Sequence, residues 1–222
     1  MSVATAERSL EVFQGLRLRG PAEGRVALRK ALLARVAVPW DRPDLLMASI
    51  VPGFDMLVFR RAAEEGFAAT HLCLQPRPDG YEVTNIVPLI EDGQLDPGEY
   101  NAVLQDFMTR IAVPAAREAG FVVEMTASRQ SLEDWLTPRS AMALRAFTVH
   151  ANKGMGSAHP RDRERWFRFL MLVHADKCPL GTEQLSRWLT EIGGWNTDMA
   201  HELVVEYGFG LALLDEYDLQ RA

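Results

Sequence analysis

The feature that most constrains this fold is a change of hydrophobic period near residue 127. Before it, "FAATHLCLQ" (residues 67–75) alternates apolar and polar, "RPDG" (residues 77–80) carries turn chemistry, and "YEVTNIVPL" (residues 81–89) alternates again. Period two around a Pro-Asp-Gly turn predicts a β-hairpin over 68–90. "FVVEM" predicts a short buried strand, over 121–126, in the same sheet. After residue 128 the apolar residues recur at helical spacing and no further long strand is expected. The expected fold class is therefore α+β. A small antiparallel sheet with helices makes up the N-terminal part, 1–127. An all-helical C-terminal part, 128–222, follows without a flexible linker, and the two are expected to pack as one compact unit.

Helix ends are marked by their capping residues. "GRVALRKALLARV" predicts a helix over 24–36 with Val26, Leu28 or Leu32 and Leu33 inward, stopped by Pro39. Asp41 offers a cap for a helix through "PDLLMASI", and "DMLVFRRAAEEG" reads as another helix ending at Gly66. Asp96, Pro97 and Glu99 form a capping box ahead of Tyr100, Val103, Leu104, Phe107 and Ile111, with Pro114 expected to kink or interrupt that helix. Farther on, "SLEDWL" predicts a short helical turn. Thr137, Thr182 and Asn196 are expected caps of later helices.

With 48% hydrophobic and 9% aromatic residues the chain can bury a large core. No apolar run reaches membrane-spanning length, and the N-terminus lacks the apolar stretch of a signal peptide. Two cysteines, Cys73 and Cys178, make no disulfide framework. These features predict a soluble, cytoplasmic, bacterial-type protein with no membrane partner. The net charge of −6 lies wholly in residues 181–222, which carry eight acidic and two basic residues. The balanced remainder argues against general nucleic-acid binding.

One segment carries suggestive chemistry, "HANKGMGSAHPRDRERWFRF", residues 150–169. Pro160 fits the first helical position, so His159 is the expected N-cap, with Ser157 the competing choice. Trp166, Phe169, Leu170 and Val173 define a core face, and Arg161, Arg165 and Arg168 another. A glycine loop before a helix start is a generic anion site. Its candidate residues are Lys153, Gly154, Gly156, Ser157, His159, Arg161 and Arg163. A solvated loop and an ordinary arginine-bearing helix face explain the same residues.

Enzyme motifs fail one after another. There is no P-loop, dinucleotide fingerprint, "GxSxG" or "HExxH", and His150, His159, His174, Asp176 and Cys178 match no zinc spacing. No cofactor or metal is expected. In "RAFTVH" and "RFLMLVH", Arg145 precedes His150 and Arg168 precedes His174. These spacings resemble the R-x(4–6)-H element of the helical HEPN ribonucleases, although Ala146 and Phe169 stand where that family has a polar residue. The resemblance implies His150, His174, Arg145 and Arg168 as catalytic residues acting on an RNA phosphodiester at a dimer interface.

The last two helices flank a glycine turn. The second carries Asp198, Glu202 and Glu206, the wrong sign for DNA readout. With Trp195, they are candidate contacts for a protein partner with a basic surface. The leading expectation is a non-enzymatic interaction module of immunity, antitoxin or defence-accessory type. The alternative is a phosphodiester- or nucleotide-processing enzyme with a basic anion site at 150–174 and a phosphate-containing ligand.

Overall fold

The structure is a computed structural model and describes residues 9–43, 56–90 and 93–221. The chain divides into two compact units, the first over Glu11–Ser128 and the second over Met1–Leu10 and Arg129–Ala222. The described elements run β1 (Leu10–Glu11), β2 (Leu16–Arg19), α1 (Arg25–Ala34), β3 (Trp40–Asp41), β4 (Leu57–Arg61), β5 (Thr70–Arg77), β6 (Gly80–Pro88), α2 (Pro97–Phe107), α3 (Val113–Ala119) and β7 (Val122–Met125). Then follow β8 (Arg129–Gln130), α4 (Pro138–His150), α5 (Pro160–Ala175), α6 (Thr182–Arg187) and α7 (Thr197–Leu219). The fold is α+β, with antiparallel strands in the N-terminal part and helices in the C-terminal part.

The first unit holds a sheet in the order β3-β4-β5-β6-β2-β7, every pair antiparallel. The expected hairpin is β5–β6. At its turn only glycine fits position 80, because a Cβ there would stand 1.8 Å from the Leu18 carbonyl oxygen. Alternation puts Leu16, Leu18, Leu57, Phe59, Leu72, Leu74 and Tyr81 on one face, buried against α1, α2 and α3. The opposite face is charged and laced by ion pairs, among them Arg17–Asp79, Arg60–Asp41 and Arg77–Glu82.

Three expectations need correction in this unit. Leu57–Arg61 is a strand, not a helix: Leu57 and Phe59 alternate inward and pair with Leu74 and Leu72, and this non-local pairing overrides the helical character of the following Ala-Ala-Glu-Glu. Gly66 (φ 80°) then lies in a turn bridged by Glu64 and Phe67. β7 joins the sheet, but at its edge, so Val122 is 63% exposed rather than buried. In α1, Leu28 and Leu32 point inward while Val26 faces solvent. The helix expected after Asp41 falls mostly on 44–55, outside the described residues, and Asp41 itself belongs to β3.

The capping box at Asp96 and Glu99 forms as expected. At Pro114 the α-helix is interrupted, as expected. A wide π-turn over Met108–Ala112 precedes the proline, and α3 continues to Gly120, whose left-handed backbone ends it.

In the second unit an aromatic ladder joins the helices. Phe147 of α4 packs on Trp166 of α5 (4.9 Å) and stacks on Trp195 (5.3 Å), while Phe169 of α5 lies 6.0 Å from Tyr207 of α7. Trp166, Phe169, Leu170 and Val173 are all buried, as their spacing predicts. Thr137 and Asn196 cap α4 and α7. At α6, Gly181 takes the cap position and Thr182 is the first helical residue.

Candidate functional site

The loop 151–159 is organised from within. Asn152 accepts hydrogen bonds from the amides of Gly154, Met155 and Gly156, and its own amide donates to the buried Asp162 carboxylate (3.3 Å). Gly156 has a left-handed backbone (φ 57°). These amides are thus spent inside the loop, as is that of Asp162, which donates to the His159 carbonyl. His159 occupies the N-cap position of α5 without a side-chain cap bond.

Side chains of the loop divide into two groups. Lys153 donates to the Gly193 carbonyl (2.5 Å), and the nearly buried Ser157 donates to the Glu206 carboxylate (2.7 Å). Lys153 and Ser157 therefore tie the loop to Gly193 and to Glu206, while Gly154 and Gly156 close it on Asn152. His159, Arg161 and Arg163 are exposed.

α4 and α5 run antiparallel, which brings the end of one beside the start of the other. His150, His159, Arg161 and Arg165 line an open depression of about 390 Å³ floored by Asp162, with Arg165 donating to Asp162 at 2.6 Å. Arg165 also lines the next depression, a groove of about 700 Å³ between the two helices. Met142, Ala143, Ala146 and Leu172 make its apolar walls, and Arg139, Arg165 and Arg168 its charged rim. Arg139 is tied to Asp176, a carboxylate that also accepts from Thr137 and Ser140. Arg139 and these hydroxyls hold the Asp176 carboxyl well below the usual carboxylate range.

The residues drawn from the arginine–histidine spacings are dispersed. Arg145 pairs with Glu133 (2.8 Å), and His174, near the opposite end of α5 from His159, meets Asp218 (2.9 Å) and Asp215 (3.3 Å) of α7. Arg168 lines the groove and His150 the smaller depression. What the structure does gather is His150, His159, Arg161 and Arg165. Arg165 was legible only as one of several arginines on a helix face; its register against His150 comes from the packing of α4 on α5.

Trp195 is 4% exposed and stacked on Phe147, a core residue rather than a surface contact. Asp198 and Glu202 are exposed on α7 and pair with no cation among the described residues, while Glu206 is engaged by Ser157. α7 buries Ala200, Leu203 and Tyr207 on its inner face. Its outer face carries Val205, Phe209, Ala212 and Leu213, with Phe209 75% and Leu213 70% exposed. At about 100° per residue these four share one side of the helix, with Asp198 and Glu202 before them and Glu216 after. The acidic residues alone were visible in the sequence; the outward direction of the apolar ones was not.

In the first unit, a cleft of about 380 Å³ is lined by Phe13, Asn85, Ile86, Pro88, Gln94 and Tyr100 among others, a lining that among the described residues has no carboxylate, histidine or cation. Among the described residues no group of three His, Cys, Asp or Glu side chains could hold a metal ion, and no helix is long and apolar enough to cross a membrane. Comparison with protein-family models, with curated proteins and with solved structures finds no match to this chain.

Proposed function

We propose that this chain is a protein-interaction module, of immunity, antitoxin or defence-accessory type, whose contact surface is the outer face of α7. The observation that carries the reading is the pair Phe209 and Leu213, open to solvent in the middle of a face with carboxylates at both ends. Large apolar side chains set together on an outer face mark contact sites, and flanking charge selects and steers a partner of opposite sign. A partner with a basic surface fits this face.

The experiment is affinity capture of the tagged chain from its native host, with mass spectrometry, beside Phe209→Glu. A stoichiometric companion that disappears in Phe209→Glu while the circular dichroism and melting curve stay unchanged supports the reading. A companion retained by Phe209→Glu refutes α7 as the contact.

A second reading has one observation in its favour: His150, His159, Arg161 and Arg165 converge at the start of α5. Four nitrogen-bearing side chains around one depression suit a phosphate-containing ligand. Calorimetric titration with phosphate, nucleotides and a short RNA at low and moderate salt tests it. Binding that weakens several-fold in Arg161→Ala and with added salt favours this reading, since partly exposed charges are screened. No heat with any of them at low salt removes it.

A further inference from the structure

We propose that two copies of this chain pair reciprocally, each laying the outer face of α7 in the arginine-rimmed groove between α4 and α5 of the other. The pairing rests on the reading of α7 as a contact surface and names the basic partner as this chain itself.

The argument begins with two unsatisfied surfaces on one unit. The α7 face offers Phe209 and Leu213 between the carboxylates of Glu202 and Glu216. The groove offers apolar walls, Met142 and Leu172 among them, beneath Arg165 and Arg168, and continues through Arg165 to Arg161. Asp162 and Asp176 each neutralise one arginine, and Arg161 and Arg168 pair with no carboxylate among the described residues. Apolar groups therefore meet apolar groups, and opposite charges meet at the ends.

The lengths agree as well. Arg139 to His150 spans about 17 Å of α4, and Glu202 to Glu216 about 21 Å of α7, at a rise of about 1.5 Å per residue. A chain does not fill its own groove with this face. The inner face of α7 is fixed against α5 by Tyr207 on Phe169 and by Leu170 at Gly210, which turns Phe209 and Leu213 outward. Face-to-face pairing of two α7 helices would set Glu206 near Glu216, like against like. A reciprocal helix-in-groove pair avoids that repulsion, uses each surface once per copy, and closes at two.

Sedimentation velocity of the full chain over a concentration series tests this. The expected result is a concentration-dependent species of twice the monomer mass, with a dissociation constant that rises about tenfold or more when salt is added. Two charge-reversed variants sharpen it. Glu202→Arg with Glu216→Arg alters only α7, and Arg161→Glu with Arg168→Glu alters only the groove. Each alone is expected to remain monomeric, whereas an equimolar mixture pairs, because wild-type face meets wild-type groove at one contact and reversed face meets reversed groove at the other. A wild-type chain that stays monomeric throughout, or pairs that persist in both variants, overturns the proposal. A monomeric chain that captures a different basic protein through Phe209 overturns the self-pairing alone and leaves α7 as a contact surface. Pairing and capture that both ignore Phe209→Glu overturn the two readings together.

Discussion

The sheet unit and the helical unit both pair their sequestered charges, but they differ in what they leave on one face of the surface. In the sheet unit even a fully buried cation is matched. Arg61, 1% exposed, donates to Asp106 (3.2 Å) and Glu64 (2.9 Å) and lies 3.8 Å from the centre of the Phe67 ring, while Trp40 donates to the same Asp106 at 2.8 Å. The solvent face of the sheet is cross-linked in the same manner, with Asp79 holding both Arg17 and Arg19. In the helical unit the interior is largely aromatic, and two sequestered carboxylates, Asp162 and Asp176, hold Arg165 and Arg139. Yet Arg161, Arg168, Asp198 and Glu202 pair with no opposite charge among the described residues, and Phe209 and Leu213 stand exposed. A surface that satisfies itself makes no demand on a partner; the groove and the α7 face do.

The largest expected effect tests the aromatic interior. Phe169→Ala removes a ring that touches both Trp166 and Tyr207 and should destabilise the protein by about 3–5 kcal/mol in denaturant melts. A loss below about 1 kcal/mol would place this face outside the core and dissolve the contrast. Next comes Arg61→Ala. It removes the buried member of the pair and leaves the partly buried Asp106 with Arg110, so the cost should sit near about 3 kcal/mol, the low end for a broken buried pair. A neutral outcome would show that the sheet unit does not depend on its matched charge.

A smaller effect should follow pH. The carboxyl of Asp176 is held below its ordinary value in the folded protein, so its contribution is complete above about pH 4, the unfolded value, and fades as the pH falls toward the folded one. Asp176→Asn should therefore be less stable than wild type at neutral pH, with the gap closing in acid. Parallel stability curves would show that the cluster with Arg139, Thr137 and Ser140 is not ionised in the way described. The smallest effect belongs to the outer face of the sheet. Arg77→Ala breaks a half-exposed pair with Glu82 and should change stability by no more than about 1 kcal/mol. A larger loss would mean the surface lattice of the sheet acts as a network rather than as separate pairs.

Local signals were legible where the chemistry is local. The Asp96 capping box, the caps at Thr137 and Asn196, the Pro-Asp-Gly hairpin and the buried stripe of α5 each depend on residues within a turn or two, and each formed. β4 was not legible, because "LVFRR" satisfies either period until Leu74 and Leu72 pair with it. β2 was not read from the sequence either: four residues of "LRLR" alternation are too short to mark a strand until β6 and β7 pair with them.

What the sequence determined by itself was the class: alternation before residue 127, helical spacing after it, and an acidic C-terminal segment. Tertiary structure decided which side chains meet. It buried Trp195 under Phe147, gave Glu206 to Ser157 and His174 to Asp218, and turned Phe209 outward. The reason is physical. Period and capping follow from the geometry of one helix or strand, whereas the sharing of a depression by His150 and Arg165 requires the register of two packed helices, which no single helix encodes.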